Sequence, residues 1–298
     1  IEKNSQLIVS TNDKKIEYES KNYQSELNSR VDYRGKVIEK TDFSGKNIPN
    51  ITAYFSTFKE IDFSSTNLRN MDVKFSQFIN VDFSNAKLQD SRISRSSFVD
   101  SNFNSATLSQ AYFSTSTFVN SDLTNSVFTN SDLRGSKMRE LVLENTNFDN
   151  VDFSNSQSFK LDYTKTSLQN SKFIGAYIVE CVLDEVDFST LEIHGDKVTG
   201  SPTKFVFCDM KHSNFSKIDM YNIDFTSKEI EGFLYPGSDL SNSVFTDLDL
   251  RSTLFSMWSA LEPEKCKASD ETVCKTIDYQ EFFNRKFFGP HNMLDPID

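Results

Sequence analysis

Glycine, proline and tryptophan are scarce in this chain of 298 residues, which contains 9, 6 and 1 of them respectively. So little glycine excludes collagen and glycine-rich fibres. No hydrophobic run approaches the length of a transmembrane helix, so we expect a soluble chain. The first residue is Ile1 rather than Met, so we expect a chain that has been processed or trimmed and has lost any signal or transit peptide it had.

Positive charge is also in short supply. The chain has 32 Lys and Arg against 43 Asp and Glu, which gives a net charge of -11. A protein that binds nucleic acid without sequence preference needs a basic surface. We therefore expect no direct binding of nucleic acid.

Phenylalanine, by contrast, is abundant, with 28 residues, and large apolar residues recur at every fifth position from Tyr33. Only Ala53 and Ser158 interrupt this frame as far as Val198. The frame slips by two residues near 199–204 and then resumes. Its second stretch consists of Phe205, Met210, Phe215, Met220, Phe225, Ile230, Tyr235, Leu240, Phe245, Leu250 and Phe255. Neither a helix nor a flat strand places every fifth side chain on one side, so the chain must turn a corner every five residues.

A small or β-branched residue usually stands two positions before each central residue, as at Thr41, Ser56 and Ala86, and Asp or Asn is common between the two. This pattern resembles the A-(D/N)-L-x-x motif of the pentapeptide-repeat family over roughly 31–255. The resemblance implies an all-β fold, a right-handed quadrilateral β-helix in which four pentapeptides form one square coil. We expect about 11 coils, each of which buries its apolar centre by stacking on its neighbours.

The domain organisation follows from this frame. We expect one pentapeptide-repeat β-helix over 31–256, with caps at both ends. Residues 1–30 contain two short strands around a polar turn and predict an N-terminal β-hairpin-like cap. Residues 257–298 leave the frame and predict a C-terminal helical cap.

Acidic residues follow two walls of the predicted square. Residues twenty apart stack on the same wall, and the wall centred on Phe43 and Phe63 carries a carboxylate just before each centre. These residues are Asp42, Asp62, Asp82, Asp122 and Asp162. The opposite wall contributes Asp32, Asp72, Asp132 and Asp152. Two interpretations stay open: a functional acidic surface, or Asp side chains that accept hydrogen bonds from turn amides.

Another wall, centred on Phe78 and Phe98, is apolar at the position after each centre. This apolar stripe consists of Ile79, Val99, Val119, Phe159 and Val179, with Arg139 among them. The equivalent residues of the Phe43 wall, which we place opposite, are polar. Exposed apolar surface of this kind is typical of an interface. The alternatives are that β-branched residues simply suit a strand, or that the C-terminal segment folds back over the stripe.

Catalytic motifs are missing from the sequence. His194, His212 and His291 lie far apart, and no metal-binding, phosphate-binding or nucleophile motif is present. We therefore expect no enzymatic activity, no cofactor and no metal, and we expect His194 to face solvent.

The four cysteines separate into two kinds. Cys181 and Cys208 occupy inward positions two before a centre, so we expect buried structural thiols. Cys266 and Cys274 lie in a short polar segment outside the repeats and are a candidate disulfide. That bond would imply an oxidising compartment, such as a periplasm, an organelle or thylakoid lumen, or the cell exterior, and its absence would favour the cytoplasm.

Three functions remain. The favoured one is a non-enzymatic protein-protein interaction scaffold, a subunit or accessory of a larger assembly, which docks through a flat wall of the β-helix. Its expected partners are proteins, in a membrane-associated complex or as a homodimer. The resemblance supplies the second, a DNA mimic that inhibits an enzyme such as gyrase, which the acidic walls would support. The third is the β-helical part of a secreted bacterial effector.

Overall fold

The computed structural model describes residues 7–11, 14–18, 31–225, 228–230, 233–235, 238, 240 and 253. The chain is an all-β parallel solenoid of about nine turns, which confirms the predicted fold class. Each turn advances the chain by twenty residues, since Phe58 pairs with Phe78 and Phe78 with Phe98. The expected coil count of about 11 included repeats after Phe225, most of which lie outside the described residues.

The chain divides into two compact units, 1–172 and 173–298. The strands of the first unit are short: two of them precede the coils, and each of the others occupies a single side of a coil. They are β1 (Leu7–Thr11), β2 (Lys14–Tyr18), β3 (Val37–Glu39), β4 (Thr52–Tyr54), β5 (Thr57–Lys59), β6 (Asp72–Lys74), β7 (Gln77–Ile79), β8 (Arg92–Ser94), β9 (Ser97–Val99), β10 (Thr117–Val119), β11 (Lys137–Arg139) and β12 (Gln157–Phe159).

Two sheets run through the first unit. Strands β3, β5, β7, β9, β10, β11 and β12 form one parallel ladder, and β4, β6 and β8 form another. Strands β1 and β2 pair antiparallel as a hairpin, and β1 also pairs antiparallel with β3. The expected N-terminal hairpin is therefore present beside the first coil.

Four faces result from the twenty-residue coil, and we number them by their central residues within 31–172. Face 1 has the centres Tyr33, Ala53, Val73, Ile93, Phe113, Leu133 and Phe153. Face 2 has Ile38, Phe58, Phe78, Phe98, Phe118, Met138 and Ser158. Face 3 has Phe43, Phe63, Phe83, Phe103, Leu123, Leu143 and Tyr163. Face 4 has Ile48, Leu68, Leu88, Leu108, Phe128, Phe148 and Leu168. Faces 2 and 3 are neighbours, so our placement of the Phe43 wall opposite the Phe78 wall was wrong.

The core consists of these stacked central side chains. Phe98 is fully buried, and its ring stacks on those of Phe78 and Phe118 with centroid distances of 4.7 and 4.9 Å. Stacked and edge-on aromatic contacts of this kind add stability beyond the burial of apolar area. The interruption at Ser158 has a packing reason, because its buried hydroxyl lies 2.8 Å from the Tyr163 hydroxyl and gives it a hydrogen-bond partner.

The corners explain why the chain turns every five residues. The residue two after nearly every centre has a positive φ, between 48° and 63° in the non-glycine residues of the first unit. Asn, Asp and Gly tolerate this left-handed conformation best, and they fill many of the corners. Because the backbone turns at the same place in each coil, the corner residues of successive coils form straight columns.

Buried serines tie neighbouring coils together beneath one of these corners. The Ser56 N–H donates to Ser76 Oγ at 3.1 Å, the Ser76 N–H to Ser96 Oγ at 3.1 Å, and the Ser96 N–H to Ser116 Oγ at 3.3 Å. These amides would otherwise be buried without an acceptor, which is costly. Where a serine stands two before a centre, it therefore serves hydrogen bonding as well as packing.

The second unit contains β13 (Tyr177–Val179), β14 (Thr203–Val206), β15 (Ile223–Asp224), β16 (Lys228–Ile230), β17 (Phe233–Tyr235) and a short 3₁₀ helix (Phe188–Thr190). Strands β13, β14 and β15 pair in parallel, and β16 pairs antiparallel with β17. The register joins Ile178 to Phe205, 27 residues apart instead of 20, so an insert separates these coils.

Two parts of the predicted frame are wrong in this unit. Val198, expected in the core, is 94% exposed, because the chain leaves the coil after the buried Ile193. The Asp196 carboxylate accepts hydrogen bonds from the N–H groups of Val198 and Thr199 and so holds the inserted loop. Ile230 and Tyr235, expected as coil centres, lie in the β16–β17 hairpin. The predicted C-terminal cap lies outside the described residues.

Candidate functional site

The acidic residues of face 3 each accept a hydrogen bond from the backbone amide two residues further on. The donors to Asp42, Asp62, Asp82, Asp122 and Asp162 are the N–H groups of Ser44, Ser64, Ser84, Thr124 and Thr164, at 2.7, 2.8, 2.8, 2.8 and 2.9 Å. Together with its backbone amide, the Ser44 hydroxyl lowers the pKa of Asp42. These carboxylates therefore stabilise their own turns.

Face 1 combines the same turn contact with ion pairs. Asp32 accepts from the Arg34 guanidinium at 2.5 Å, and this contact lowers the pKa of Asp32 to about 2. One hundred residues further along, Asp132 and Arg134 repeat the pair at 2.6 Å, which raises the pKa of Arg134. Both pairs lie at the protein surface, so they contribute little to stability.

Asp72 and Asp152 differ in their partners. The Tyr54 hydroxyl donates to Asp72, and Lys74 lies 3.6 Å from the same carboxylate and 4.9 Å from the centre of the Tyr54 ring. Asp152 accepts from the Ser154 N–H at 2.9 Å. The nine carboxylates named from the sequence thus lie on faces 1 and 3, and each has a partner within the chain.

The apolar stripe lies on face 2. Parallel pairing of β7, β9 and β10 aligns Ile79, Val99 and Val119, and all three side chains are partly exposed. Phe159 continues the line on β12, where Arg139 and Lys160 lie over its ring at 4.8 and 5.1 Å. Four of the five predicted stripe residues therefore form one row on the first unit.

Val179, the fifth, does not fit this description. It lies in the second unit, where it is only 3% exposed, and its partner in register on β14, Val206, is 1% exposed. The expectation that Val179 is exposed was wrong, because this position is covered in the folded chain.

An aromatic ridge that the sequence analysis missed borders face 2. Phe55 and Phe75 occupy corner positions with φ of 55° and 53°, and they are 71% and 43% exposed. Their rings stack at 5.0 Å with planes 1° apart, and the Arg95 guanidinium continues the column 5.4 Å from the centre of the Phe75 ring. The five-residue frame could have revealed this ridge. It places both phenylalanines at corner positions, which Asn, Asp, Gly or Ser usually fills.

The predicted histidines and cysteines lie in separate places. His194 has a side chain only 14% exposed, so it does not face solvent as expected, and His212 lies 3.1 Å from Asp184. Cys181 and Cys208 are buried free thiols, as predicted. His291, Cys266 and Cys274 lie outside the described residues.

Within the described part of the chain, no helix has the length and apolar character needed to cross a membrane. The same residues contain no group of three or more His, Cys, Asp or Glu side chains placed to hold a metal ion.

The repeated coil, its left-handed corners and its stacked apolar centres define a pentapeptide-repeat solenoid. Residues 71–148 match the family model described as pentapeptide repeat region, so this part of the chain is such a region, and the resemblance noted in the sequence is confirmed there. No curated protein matches the chain in sequence.

Several solved structures are similar to this chain. A trypsin-treated QnrB1, a plasmid-mediated fluoroquinolone resistance protein, is 18% identical, with a TM-score of 0.40 over 74% of this chain and 90% of its own. HetL, a pentapeptide repeat protein involved in heterocyst differentiation regulation from the cyanobacterium Nostoc sp. strain PCC 7120, is 13% identical, with a TM-score of 0.24 over 78% and 92%.

A pentapeptide repeat protein from the thylakoid lumen of Arabidopsis thaliana is 21% identical, with a TM-score of 0.18 over 39% of this chain and 70% of its own. At these identities and scores, none of the three carries an argument about what this chain does.

Proposed function

We propose that this protein is a non-enzymatic scaffold that docks a partner protein through face 2 and the adjoining aromatic ridge, Phe55, Phe75 and Arg95. The observation that carries the proposal is the stacked, exposed pair of phenylalanines at corner positions. A bulky residue in the left-handed region costs of order 1 kcal/mol. An exposed aromatic ring adds no core burial to offset that cost, so a role in binding accounts for it best.

The chemistry of the ridge suits protein recognition. Aromatic and arginine side chains dominate the residues that carry most of the energy at protein interfaces. Here the two rings and the guanidinium are already stacked, so little side-chain entropy is lost when a partner binds. The partly exposed row of Ile79, Val99 and Val119 on the same face extends the apolar contact area.

A scaffold role also agrees with the match of residues 71–148 to a pentapeptide repeat region. Pentapeptide-repeat solenoids are typically non-catalytic. The histidines described here lie beside Glu192 and Asp184 and serve no shared site. We infer that binding, rather than reaction, is the function of the faces.

The DNA-mimic alternative receives less support from the geometry. A DNA mimic needs carboxylates that are free to occupy the phosphate-binding positions of a DNA-binding enzyme. Asp32 and Asp132 are bound by Arg34 and Arg134, and the face 3 carboxylates accept hydrogen bonds from their own turns. A gyrase supercoiling assay separates the two functions, because the scaffold proposal predicts no inhibition by this protein.

Replacement of the ridge tests the docking proposal. Asn is a common corner residue in this chain, so Phe55→Asn with Phe75→Asn should leave the fold intact and remove the rings. We expect at least tenfold weaker capture of the partner from an extract of the source cells, measured by quantitative pull-down. Val142→Asn, which replaces a 54% exposed side chain on face 3, is the matched control and should bind like the wild type. Equal capture by all three proteins would overturn the proposal.

A further inference from the structure

An open groove of about 610 Å³ follows the corner between faces 4 and 1, away from the aromatic ridge. One side is the corner column Asn70, Asp90, Gln110 and Asn130, which contributes one residue from each of four coils. The other side includes Arg92 and Tyr112, whose positions are neighbours in register. The groove therefore repeats with the coil, at about 4.8 Å per step.

The polar side chains of this groove are not used by the fold. The side chains of Asn70, Asp90, Gln110, Asn130, Arg92 and Tyr112 form no hydrogen bond or ion pair with any other described residue. Some corner amides elsewhere are engaged: Asn120 donates to Asp100 at 2.6 Å and Asn145 donates to Asn125 at 3.3 Å. The groove thus presents a row of available donors and acceptors.

The backbone that carries these side chains is held in place by hydrogen bonds between coils. The four corner residues have φ between 59° and 62°, and their N–H groups bond to the next coil, as Asn70 N–H does to the Gln89 carbonyl at 3.1 Å. A ligand that spans several coils meets groups on a rigid frame, which reduces the entropy lost on binding.

The chemistry of the lining selects the class of ligand. Asp72, a third charged residue of the lining, is already engaged by Tyr54 and Lys74. The remaining charges are one carboxylate, Asp90, and one guanidinium, Arg92, and they balance, which favours neither a phosphate nor a cation. Amide, carboxylate and guanidinium groups together donate to and accept from hydroxyl groups. Tyr112 is 51% exposed and offers an aromatic surface against which an apolar ring face can pack.

A peptide fits the groove less well than a polyhydroxylated chain does. Strand addition needs free backbone groups, and the N–H groups of Asp90 and Gln110 already donate to Ser109 and Thr129 carbonyls in the next coil. Apart from Tyr112, the exposed lining has no apolar group to anchor a peptide side chain. Hydroxyl-rich ligands need neither feature.

We propose that this groove is a binding site for a neutral oligosaccharide chain that lies along the solenoid. Successive sugar units hydrogen-bond to the corner column and to Arg92, and one ring packs on Tyr112. The inference does not depend on docking at face 2, since the two sites share no residue.

Affinity electrophoresis tests this site. The full chain is run in native gels containing one neutral soluble polysaccharide each: dextran, hydroxyethyl cellulose, xylan or galactomannan. We expect at least one of them to retard the wild type. Tyr112→Ala should weaken that binding at least fivefold, and Gln110→Ala should weaken it less. Tyr221→Ala, at another exposed tyrosine, is the control and should run as the wild type does.

The outcomes decide the proposal as follows. Equal melting temperatures of the variants show that loss of retardation is not loss of folding. Retardation of the wild type and Tyr221→Ala, with loss in Tyr112→Ala, supports the site. No retardation by any of the four polysaccharides, or retardation that Tyr112→Ala leaves unchanged, overturns it. Capture of the face 2 partner should be the same for Tyr112→Ala and wild type, so the two proposals fail separately.

Discussion

The Asp32–Arg34 pair gives a titration with a definite sign. Arg34 holds the pKa of Asp32 at about 2, below its ordinary value of 3.8. The contribution of this pair to stability is therefore present above pH 3.8 and is lost as the pH falls towards 2. Arg34→Gln should raise the pKa of Asp32 towards 3.8 in a carboxyl NMR titration. An unchanged pKa in this variant would show that the guanidinium is not its cause.

Ser158 and Tyr163 form a buried pair whose coupling can be measured. Tyr163→Phe or Ser158→Ala breaks this buried hydrogen bond and should cost about 1–3 kcal/mol in urea denaturation. The double variant should cost less than the sum of the two, because it removes both hydroxyls. Additive costs would mean that the 2.8 Å contact does not couple the two residues.

Individual positions differ in how far the sequence predicts them. The buried centres, such as Phe98 and Phe128, follow from the five-residue period. The burial of Val179 does not, because the period places its side chain outside the coil and is silent about what covers the coil. Phe55 and Phe75 are the opposite case. Phenylalanine is an apolar residue type that usually lies in the core, but these two stand at corner positions of the frame and are exposed.

Hydrogen bonds from buried serines join the strands of one coil to those of the next. The Ser96 hydroxyl accepts from the Ser76 N–H at 3.1 Å, so Ser96→Ala should cost about 1–3 kcal/mol of unfolding free energy. Ser97→Ala, one residue further on β9 and partly exposed, is the matched control and should cost less than about 0.5 kcal/mol. Equal costs in chemical denaturation would contradict a structural role for the serine column.

Inserts between coils limit what the period can predict. A shift of two residues and an insert of seven change the five-residue frame in the same way, because seven is five plus two. The sequence alone therefore placed Val198 in the core. The register of β13 and β14 distinguishes them. The β16–β17 hairpin escaped prediction for a related reason, because Ile230 and Tyr235 happen to continue the count while the strands pair antiparallel.

Across the whole molecule, the same coil supports faces of different chemistry. The sequence predicted the carboxylates of faces 1 and 3 and most of the apolar row of face 2, since residues twenty apart share a face. It did not predict which polar groups are engaged, because that depends on contacts between side chains of neighbouring coils. The groove beside face 4 and the aromatic ridge became apparent only from those contacts and from exposure.

Photocrosslinking face by face tests the central claim, that face 2 is the docking surface. p-Benzoylphenylalanine is placed at Ser97 on face 2 or at Ser109 on face 4, two partly exposed serines of the same coil. In extracts of the source cells, we predict one dominant protein adduct from position 97 and none of that protein from position 109. The adduct should disappear when Phe55→Asn and Phe75→Asn are added. Equal adducts from both positions, or an adduct that survives loss of the ridge, would contradict the account.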